Sequence, residues 1–532
     1  MTLLCMVAVG GISIDIVHHE RDRTNIQYTL DRAVLAAADL DQQEADPEIV
    51  VLDYMTKAGL GEYHTTVPNP IILPTKRKVT AEVDAEFDPL WLQFSNYDKA
   101  LPIRAHSKAE ESIGKVEISL VLDVSGSMGS NSRLTNLKVA AKEFIETMDA
   151  NTEDDNMSIS IVPYSTQVSM PEEFMNHLNR SDAHDYSYCL NFDGSDYNTT
   201  ELSTSETYEQ TMHFSISNRK DYRTKSRHVE RAVCASNDDN PERTSILFED
   251  DVQTLKDYID AFQATDNTSL DVGMKWGVAL LDPSVQPIIS DMATGEGATI
   301  AGKFANRPVA YSDHETLKVV VLMTDGENTS QYYVNDGYRQ GKSTVWYNAD
   351  ANVYSTYNAS RSGSSKYYWH NTNTWKDHPY GNGTYSETYC TGTVYYGNCY
   401  YGSWQSRTVE EPGAAEELTY TDLFADTTLQ YIFYDIFSDW MNYYDARDKW
   451  YYDVYNDVNA STKNTRTKAI CEAAKDAGIV VFTIGFEAPR SGQTILRECA
   501  SSDSHFYDVE GLEIADAFAS IASAIRQLRL TE

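Results

Sequence analysis

The chain has 532 residues, 41% of them hydrophobic, and a formal net charge of -37. This length exceeds one ordinary domain, and the apolar share supports a packed core. The acidic excess argues against nucleic acid or an anionic membrane surface as a partner and fits a well-solvated, secreted surface.

Residues 2–17, TLLCMVAVGGISIDIV, are mostly apolar but include Asp15. The run is shorter than the ~20 residues of a spanning helix. No cationic segment precedes it and no small-residue cleavage site follows, so a cleaved signal peptide is a poor reading of it. The expectation is the end of a longer membrane segment. A helical period then continues to Leu40, with Ile26, Leu30, Ala33, Val34, Ala37 and Leu40 on one face. One long helix over residues 3–40 is expected, apolar at its start and amphipathic afterwards. Residues 11–40 resemble the start of TadE/TadG-type proteins of the Tad (tight adherence) pilus system. There an apolar stretch ends in glycines and an Asp and leads into a helix closing on Asp-x-Ala-x-x-Ala-Ala. Asp15, Asp31, Ala33, Ala36, Ala37 and Ala38 carry the likeness. It implies a place in the bacterial cell envelope, anchored in the membrane by the N-terminal helix or associated with a pilus. The main domain would then be periplasmic or outside the cell, with other pilus components as partners.

Residues 41–114 change texture. Pro68, Pro70 and Pro74 break any helix, and Val79, Ala81, Val83, Ala85 and Phe87 alternate as in a half-buried strand. Leu90, Trp91, Leu92 and Phe94 follow, and Leu101, Ile103 and Ala105 alternate again. A small β-rich module is expected, similar to the one TadG-type proteins carry at this point.

Residues 116–128 read VEISLVLDVSGSM. The run Val116, Ile118, Leu120, Val121 and Leu122 suits a strand buried on both faces. It delivers Asp123, Ser125 and Ser127 onto a glycine-bearing loop. An amphipathic helix follows with Leu134, Leu137, Ala141, Phe144, Ile145 and Met148 at helical spacing. Strand, loop, helix is the unit of a doubly wound sheet, whose ligands sit at the carboxyl ends of the strands. Hard divalent cations take oxygen ligands, so one carboxylate and two hydroxyls are part of a candidate metal site. Further oxygens are expected from Asp325, which ends the apolar run at residues 317–324, and from Thr268, just before a helix with Leu270, Met274, Val278 and Leu281. These pieces resemble the von Willebrand factor A domain and its metal-ion-dependent adhesion site. The resemblance implies Asp123, Ser125, Ser127, Thr268 and Asp325 as ligands of Mg2+ (or Mn2+ or Ca2+). The implied fold is α/β, a doubly wound, mostly parallel, Rossmann-like sheet over residues 115–529.

Two stretches interrupt that domain. Residues 171–250 are a polar insertion. Residues 329–462 form a larger one holding well over half of the chain's 36 tyrosines. Its Tyr, Asn, Ser and Gly mix resembles surfaces that bind by aromatic contact and adaptable hydrogen bonds; a loop packed by its own aromatics is the other reading. Residues 423–457 are expected to be helical. The fold resumes with a helix at 468–477, a buried strand at 479–484, a short helix at 495–500, an edge strand at 505–507 and a closing helix at 514–528. TIGF at 483–486 and LRECAS at 496–501 add to the likeness to the TadG-type A domain. Of the 7 cysteines, Cys5 lies in the apolar N-terminal run. The other six fall into neighbouring couples, Cys189 with Cys234, Cys390 with Cys399 and Cys471 with Cys499. Three disulfides and an oxidising compartment are expected.

Enzyme readings fail on residues. Ser125 stands where a nucleophile elbow needs Gly. It also stands where an aspartyl phosphatase needs its second carboxylate, and no metalloprotease His pair or phosphate loop occurs. The expectation is a non-enzymatic surface or pilus-associated protein whose metal binds an acidic group of a protein or surface ligand. The alternative is a pilus scaffold in which a metal only stabilises the fold.

Overall fold

The computed structural model describes residues 2–39, 46–73, 76–92, 99–112, 114–152, 155–181, 183–225, 227–313 and 315–527. Leu40, Pro74, Phe94 and Leu528, named above, lie outside them.

The N-terminal helical period produces one helix, α1 (Thr2–Ala38). Its stripe of Ile26, Leu30, Ala33, Val34 and Ala37 is buried against α2 (Pro47–Lys57) and a twelve-residue antiparallel pair, β1 (Lys76–Phe87) and β2 (Leu101–Ser112). Val79, Ala81, Val83, Ile103 and Ala105 supply the facing layer. Asp15 is not a misfit in an apolar helix. Its buried carboxylate accepts the backbone N–H groups of Leu90, Trp91 and Leu92 at 3.3, 2.6 and 2.8 Å. Gly11 makes room beside it, since a Cβ there would lie 2.5 Å from the Trp91 indole. At the other end, buried Arg77 donates to the Ala37 carbonyl at 2.7 Å, where a helix end favours a cation. Among the described residues no helix is long and apolar enough to cross a membrane, so the expected membrane segment finds no support in α1.

The central sheet is mixed. It contains β3 (Lys115–Asp123), β4 (Met157–Tyr164), β5 (Ile246–Glu249), β6 (Thr316–Thr324), β7 (Val480–Phe486) and β8 (Phe506–Val509) in the order β8-β7-β6-β3-β4-β5. Every pairing is parallel except β4 with β5. Both faces are covered. Val116, Ile118, Leu120 and Leu122 meet α3 (Arg133–Ala150), α4 (Val252–Ala261) and the closing helix Glu513–Gln527 on one side. On the other, Val121, Val162 and Tyr164 meet α5 (Leu270–Ala279), α6 (Ala460–Asp476) and α7 (Arg490–Cys499). Burial on both faces explains why these strands read as continuous apolar runs. The α5 helix lies close on the sheet through two glycines four residues apart. A Cβ at Gly273 would stand 2.8 Å from the Tyr164 ring, and one at Gly277 would stand 2.2 Å from Val121.

The polar insertion emerges after β4 and the tyrosine-rich one after β6. They share a core: Met212, Phe214 and Val233 of the first pack with Val345, Tyr354, Leu423, Phe424, Leu429, Ile432, Phe437 and Trp450 of the second. Tyr354, Phe424, Phe433, Phe437 and Trp450 are thus interior, while most other aromatics of residues 329–462 are half-buried or exposed. The second insertion builds a five-stranded antiparallel sheet from Lys342–Asn348, Val353–Tyr357, Tyr367–Trp369, Thr374–Lys376 and Ala415–Thr419. Residues 423–457 are helical in short pieces rather than as one helix. Thr428 and Asn442 explain two of the breaks, because their side chains accept the backbone N–H groups of Tyr431 and Tyr444 and start new turns. Cys189–Cys234, Cys390–Cys399 and Cys471–Cys499 are the three disulfides expected from the sequence.

At the junction of the insertions Tyr186 is stacked between His184 and His228, with ring centroids at 4.5 and 4.2 Å, and His213 meets it edge-on at 5.2 Å. His213 is fully buried and neither ring nitrogen finds a well-formed hydrogen bond, the Cys234 backbone offering only a weak one. Burial pushes the His184 imidazole down to about 4 and holds His213 well below the usual range. The bond to Asp426 raises His228.

Gly277→Ala is expected to lower stability by ~1–3 kcal/mol through overpacking on Val121, despite alanine's better helix propensity, as a reduced denaturant midpoint. The junction should also be acid-sensitive. Histidines held below their unfolded pKa contribute stability that is complete above about pH 6.5 and lost as pH falls toward 4. His228 works in the opposite sense and offsets part of this. Thermal unfolding should therefore shift down by on the order of 5 °C between pH 7 and 5, and His213→Leu should flatten the dependence.

Candidate functional site

The strand order reverses between β3 and β6. From β3 the chain moves outward to β4 and β5, then crosses back to β6 and moves the other way to β7 and β8. The crevice at the carboxyl ends of such neighbouring strands is where open α/β sheets hold ligands. Asp123 ends β3 and Asp325 directly follows β6. Parallel pairing in register, Leu122 beside Met323, sets Asp123 beside Thr324 and brings Asp325, one residue on, to the same strand ends.

Each carboxylate is held by local groups. The Asp123 side chain accepts the Ser125 backbone N–H at 2.7 Å and the Thr324 hydroxyl at 2.6 Å. The Ser125 and Ser127 hydroxyls are 3.1 Å apart, and Ser127 donates to Asp325 Oδ1 at 2.7 Å. The other oxygen of Asp325 accepts from Arg133 Nη1 at 2.7 Å, while Arg133 Nε donates to Glu487 at 2.8 Å. Both aspartates are buried. Burial first, and then the charge of Asp325, push the Asp123 carboxyl up to about 7 against the hydrogen bonds it accepts.

The Thr268 loop lies alongside. The Asp266 carbonyl accepts the Gly126 N–H at 3.0 Å, and Thr265 N–H donates to the Val124 carbonyl at 2.9 Å. A Cβ at Gly126 would come within 3.1 Å of that Asp266 carbonyl, so the close approach of the two loops favours glycine. Thr268 itself is buried at the entry to α5. Its N–H donates to the Thr329 hydroxyl at 2.9 Å, and its carbonyl accepts from Lys463 Nζ at 2.7 Å. Asp123, Ser125, Ser127 and Asp325 thus form one hydrogen-bonded chain, and Thr268 joins it through backbone contacts between the loops rather than through its hydroxyl.

Four residues absent from the sequence reading shape the site: Thr324, Arg133, Glu487 and Lys463. Thr324 adjoins Asp325 and was within reach of a strand-end reading. Arg133 and Glu487 are 354 positions apart, and nothing local pairs them. Lys463 is fully buried and bonds the Thr268 and Thr329 carbonyls and the Ser269 hydroxyl at 2.6–2.8 Å. It ties the second insertion's last residues to the loop before α5.

The donor set is all oxygen, with two like charges buried together, which fits a hard divalent cation such as Mg2+, Mn2+ or Ca2+. Among the described residues no group of three or more His, Cys, Asp or Glu side chains is disposed to hold a metal.

No protein-family model and no curated protein matches the sequence. Among solved structures the chain is similar to the vWF domain of the type V pili tip protein Mfa5 from Porphyromonas gingivalis, at 15% identity and a TM-score of 0.31, covering 78% of this chain and 96% of that one. It is similar to the adhesive tip pilin GBS104 from Group B Streptococcus agalactiae, at 12% identity and a TM-score of 0.31, covering 77% and 100%. It is also similar to the pilus adhesin SpaC from Lactobacillus rhamnosus GG, at 11% identity and a TM-score of 0.28, covering 88% of this chain but only 35% of that one. Likeness at this level decides neither ligand nor activity.

Lys463→Met should cost ~1–3 kcal/mol, because it removes the one ammonium donor shared by the Thr268 and Thr329 carbonyls and the Ser269 hydroxyl and leaves buried Asp271 with Arg466, 4.0 Å away, as its remaining cation. Chemical denaturation of the full chain measures it; a change below about 0.5 kcal/mol, the scale of a surface substitution, would contradict the assigned role.

Proposed function

We propose that the chain is a non-enzymatic, pilus-associated surface protein of the TadG type, with a doubly wound von Willebrand factor A domain that binds a partner through a divalent cation. The observation that carries this reading is the chain of hydrogen bonds from Asp123 through Ser125 and Ser127 to Asp325 at the sheet's switch point. The two buried carboxylates and the neighbouring serine hydroxyls make an all-oxygen set of the kind a hard divalent cation takes.

Asp123 and Asp325 would supply negative charge, and Ser125, Ser127 and Thr268 neutral oxygens. When bound, Mg2+, Mn2+ or Ca2+ would supply a Lewis-acid position for a carboxylate oxygen of the ligand. Arg133 neutralises part of the charge on Asp325 and is itself oriented by Glu487, so the site is held in shape by groups from α3 and the turn after β7. Lys463 fixes the Thr268 loop from the other side. The acidic surface of the chain keeps nucleic acid away.

A second reading, a pilus scaffold whose ion only stabilises the fold, is favoured by the complete burial of Asp123 and its two hydrogen bonds. Calorimetry with Mn2+ and Mg2+ tests the ion, and attachment assays separate the readings. Asp123→Asn should lower ion affinity by more than the roughly 100-fold typical of losing an outer-shell partner; equal affinity in both proteins would sink the site. For a surface-binding protein EDTA should abolish attachment of cells or coated beads and Mg2+ should restore it. For the scaffold EDTA should lower the unfolding temperature and leave attachment unchanged.

A further inference from the structure

The strands Thr384–Cys390 and Trp404–Glu410 pair as a ribbon, extended by the small hairpin of Thr393–Tyr395 and Asn398–Tyr400. This ribbon is separate from the five-stranded sheet of its insertion. Consecutive residues along it are exposed, and consecutive residues of a strand point to opposite faces, so both faces meet solvent. An isolated two-stranded hairpin is marginal in water. Here Cys390–Cys399 closes the tip across 9 residues.

The tip is aromatic. Tyr401 is 100% exposed, Tyr396 86% and Tyr395 61%, and Val394, Tyr400 and Trp404 are about half exposed. Tyr434, Tyr443, Tyr444 and Tyr452 elsewhere in the insertion are also exposed, but none to the extent of Tyr396 or Tyr401. The tip is also uncharged: residues 388–406 contain no Asp, Glu, Lys or Arg, in a chain of net charge -37. At the base of the ribbon Arg407 is neutralised by Glu387 at 2.6 Å. Thr393, Asn398, Ser403 and Gln405 stand among the rings.

We propose that this tip binds an uncharged polysaccharide. A cationic partner would find no carboxylate on it, and an anionic one would meet the repulsion of the whole chain. The exposed residues alternate between the two faces of a narrow ribbon rather than forming the one broad patch a standard protein interface uses. A repeating polymer compensates for weak single contacts by offering many equal sites at high effective concentration. Tyr395 meets Tyr396 and Tyr400 edge-on, at 79° and 69°, so the rings are not consumed by stacking on one another. The most exposed rings, Tyr401 and Tyr396, can meet the apolar CH faces of sugar rings, and the neighbouring hydroxyls and amides match sugar hydroxyls. The proposal rests on the surface-binding reading of the protein but uses none of the metal-site residues.

The test is retention of the full chain on amorphous cellulose and on chitin, with and without EDTA. The comparison is a variant with Tyr395, Tyr396, Tyr401 and Trp404 all replaced by Ser. The wild type should be retained on at least one of the two polymers whether or not EDTA is present. The variant, with its disulfides and unfolding temperature unchanged, should lose about tenfold or more in affinity. Equal retention of the variant would overturn the proposal. So would a wild type held by neither polymer, or held by phosphatidylcholine vesicles instead. Loss of retention in EDTA would assign binding to the metal site and overturn it as well. Retention that persists while calorimetry finds no ion would leave this proposal standing and remove the metal reading.

Discussion

Two carboxylates placed side by side in a buried crevice set the terms for the structure around them. Like charges at that separation in a low-dielectric setting repel strongly unless hydrogen bonds or cations intervene. The backbone topology forces the juxtaposition, because Asp123 and Asp325 end adjacent parallel strands. The surroundings answer it with the Thr324 and Ser127 hydroxyls, the Ser125 N–H and the guanidinium of Arg133. Even so, Asp123 stays well above the usual carboxylate range. The cation proposed for this crevice would offset that repulsion.

The insertions are coupled to this crevice by position and by bonds. Both leave the carboxyl edge of the sheet, after β4 and after β6. They share one apolar core, so neither can reorient alone. The second returns into α6, where Asn328 accepts from the Leu270 N–H and donates to Asn464 and Thr467, and where Lys463 holds the Thr268 and Thr329 carbonyls. These contacts join the base of the second insertion to the loop before α5. The Cys189–Cys234 and Cys390–Cys399 disulfides brace insertion segments outside the central sheet, and Cys471–Cys499 joins α6 to α7 beside β7. Cross-links of this kind act mainly by restricting the unfolded chain.

By itself the sequence determined what local pattern controls. Apolar runs of strand length marked β3, β6 and β7, the first two ending in Asp and turn residues, because burial on both faces and turn chemistry are written in a few adjacent residues. The helical stripe from Ile26 to Ala37 and the alternation of Val79, Ala81 and Val83 were legible for the same reason, and so were the three cysteine couples, whose partners are neighbours in the order of cysteines along the chain. The tertiary structure decided what depends on distant partners. It gave Asp15 its three backbone donors, broke residues 423–457 into short turns, made one core from two insertions, and left the Tyr395–Trp404 tip outside that core. It also put Arg133 between Asp325 and Glu487 and Lys463 beneath Thr268. Periodicity carries which face of an element is apolar, not which remote charge will meet it. That pairing is settled only when strand order and loop packing bring the two ends of the chain to the same edge of the sheet.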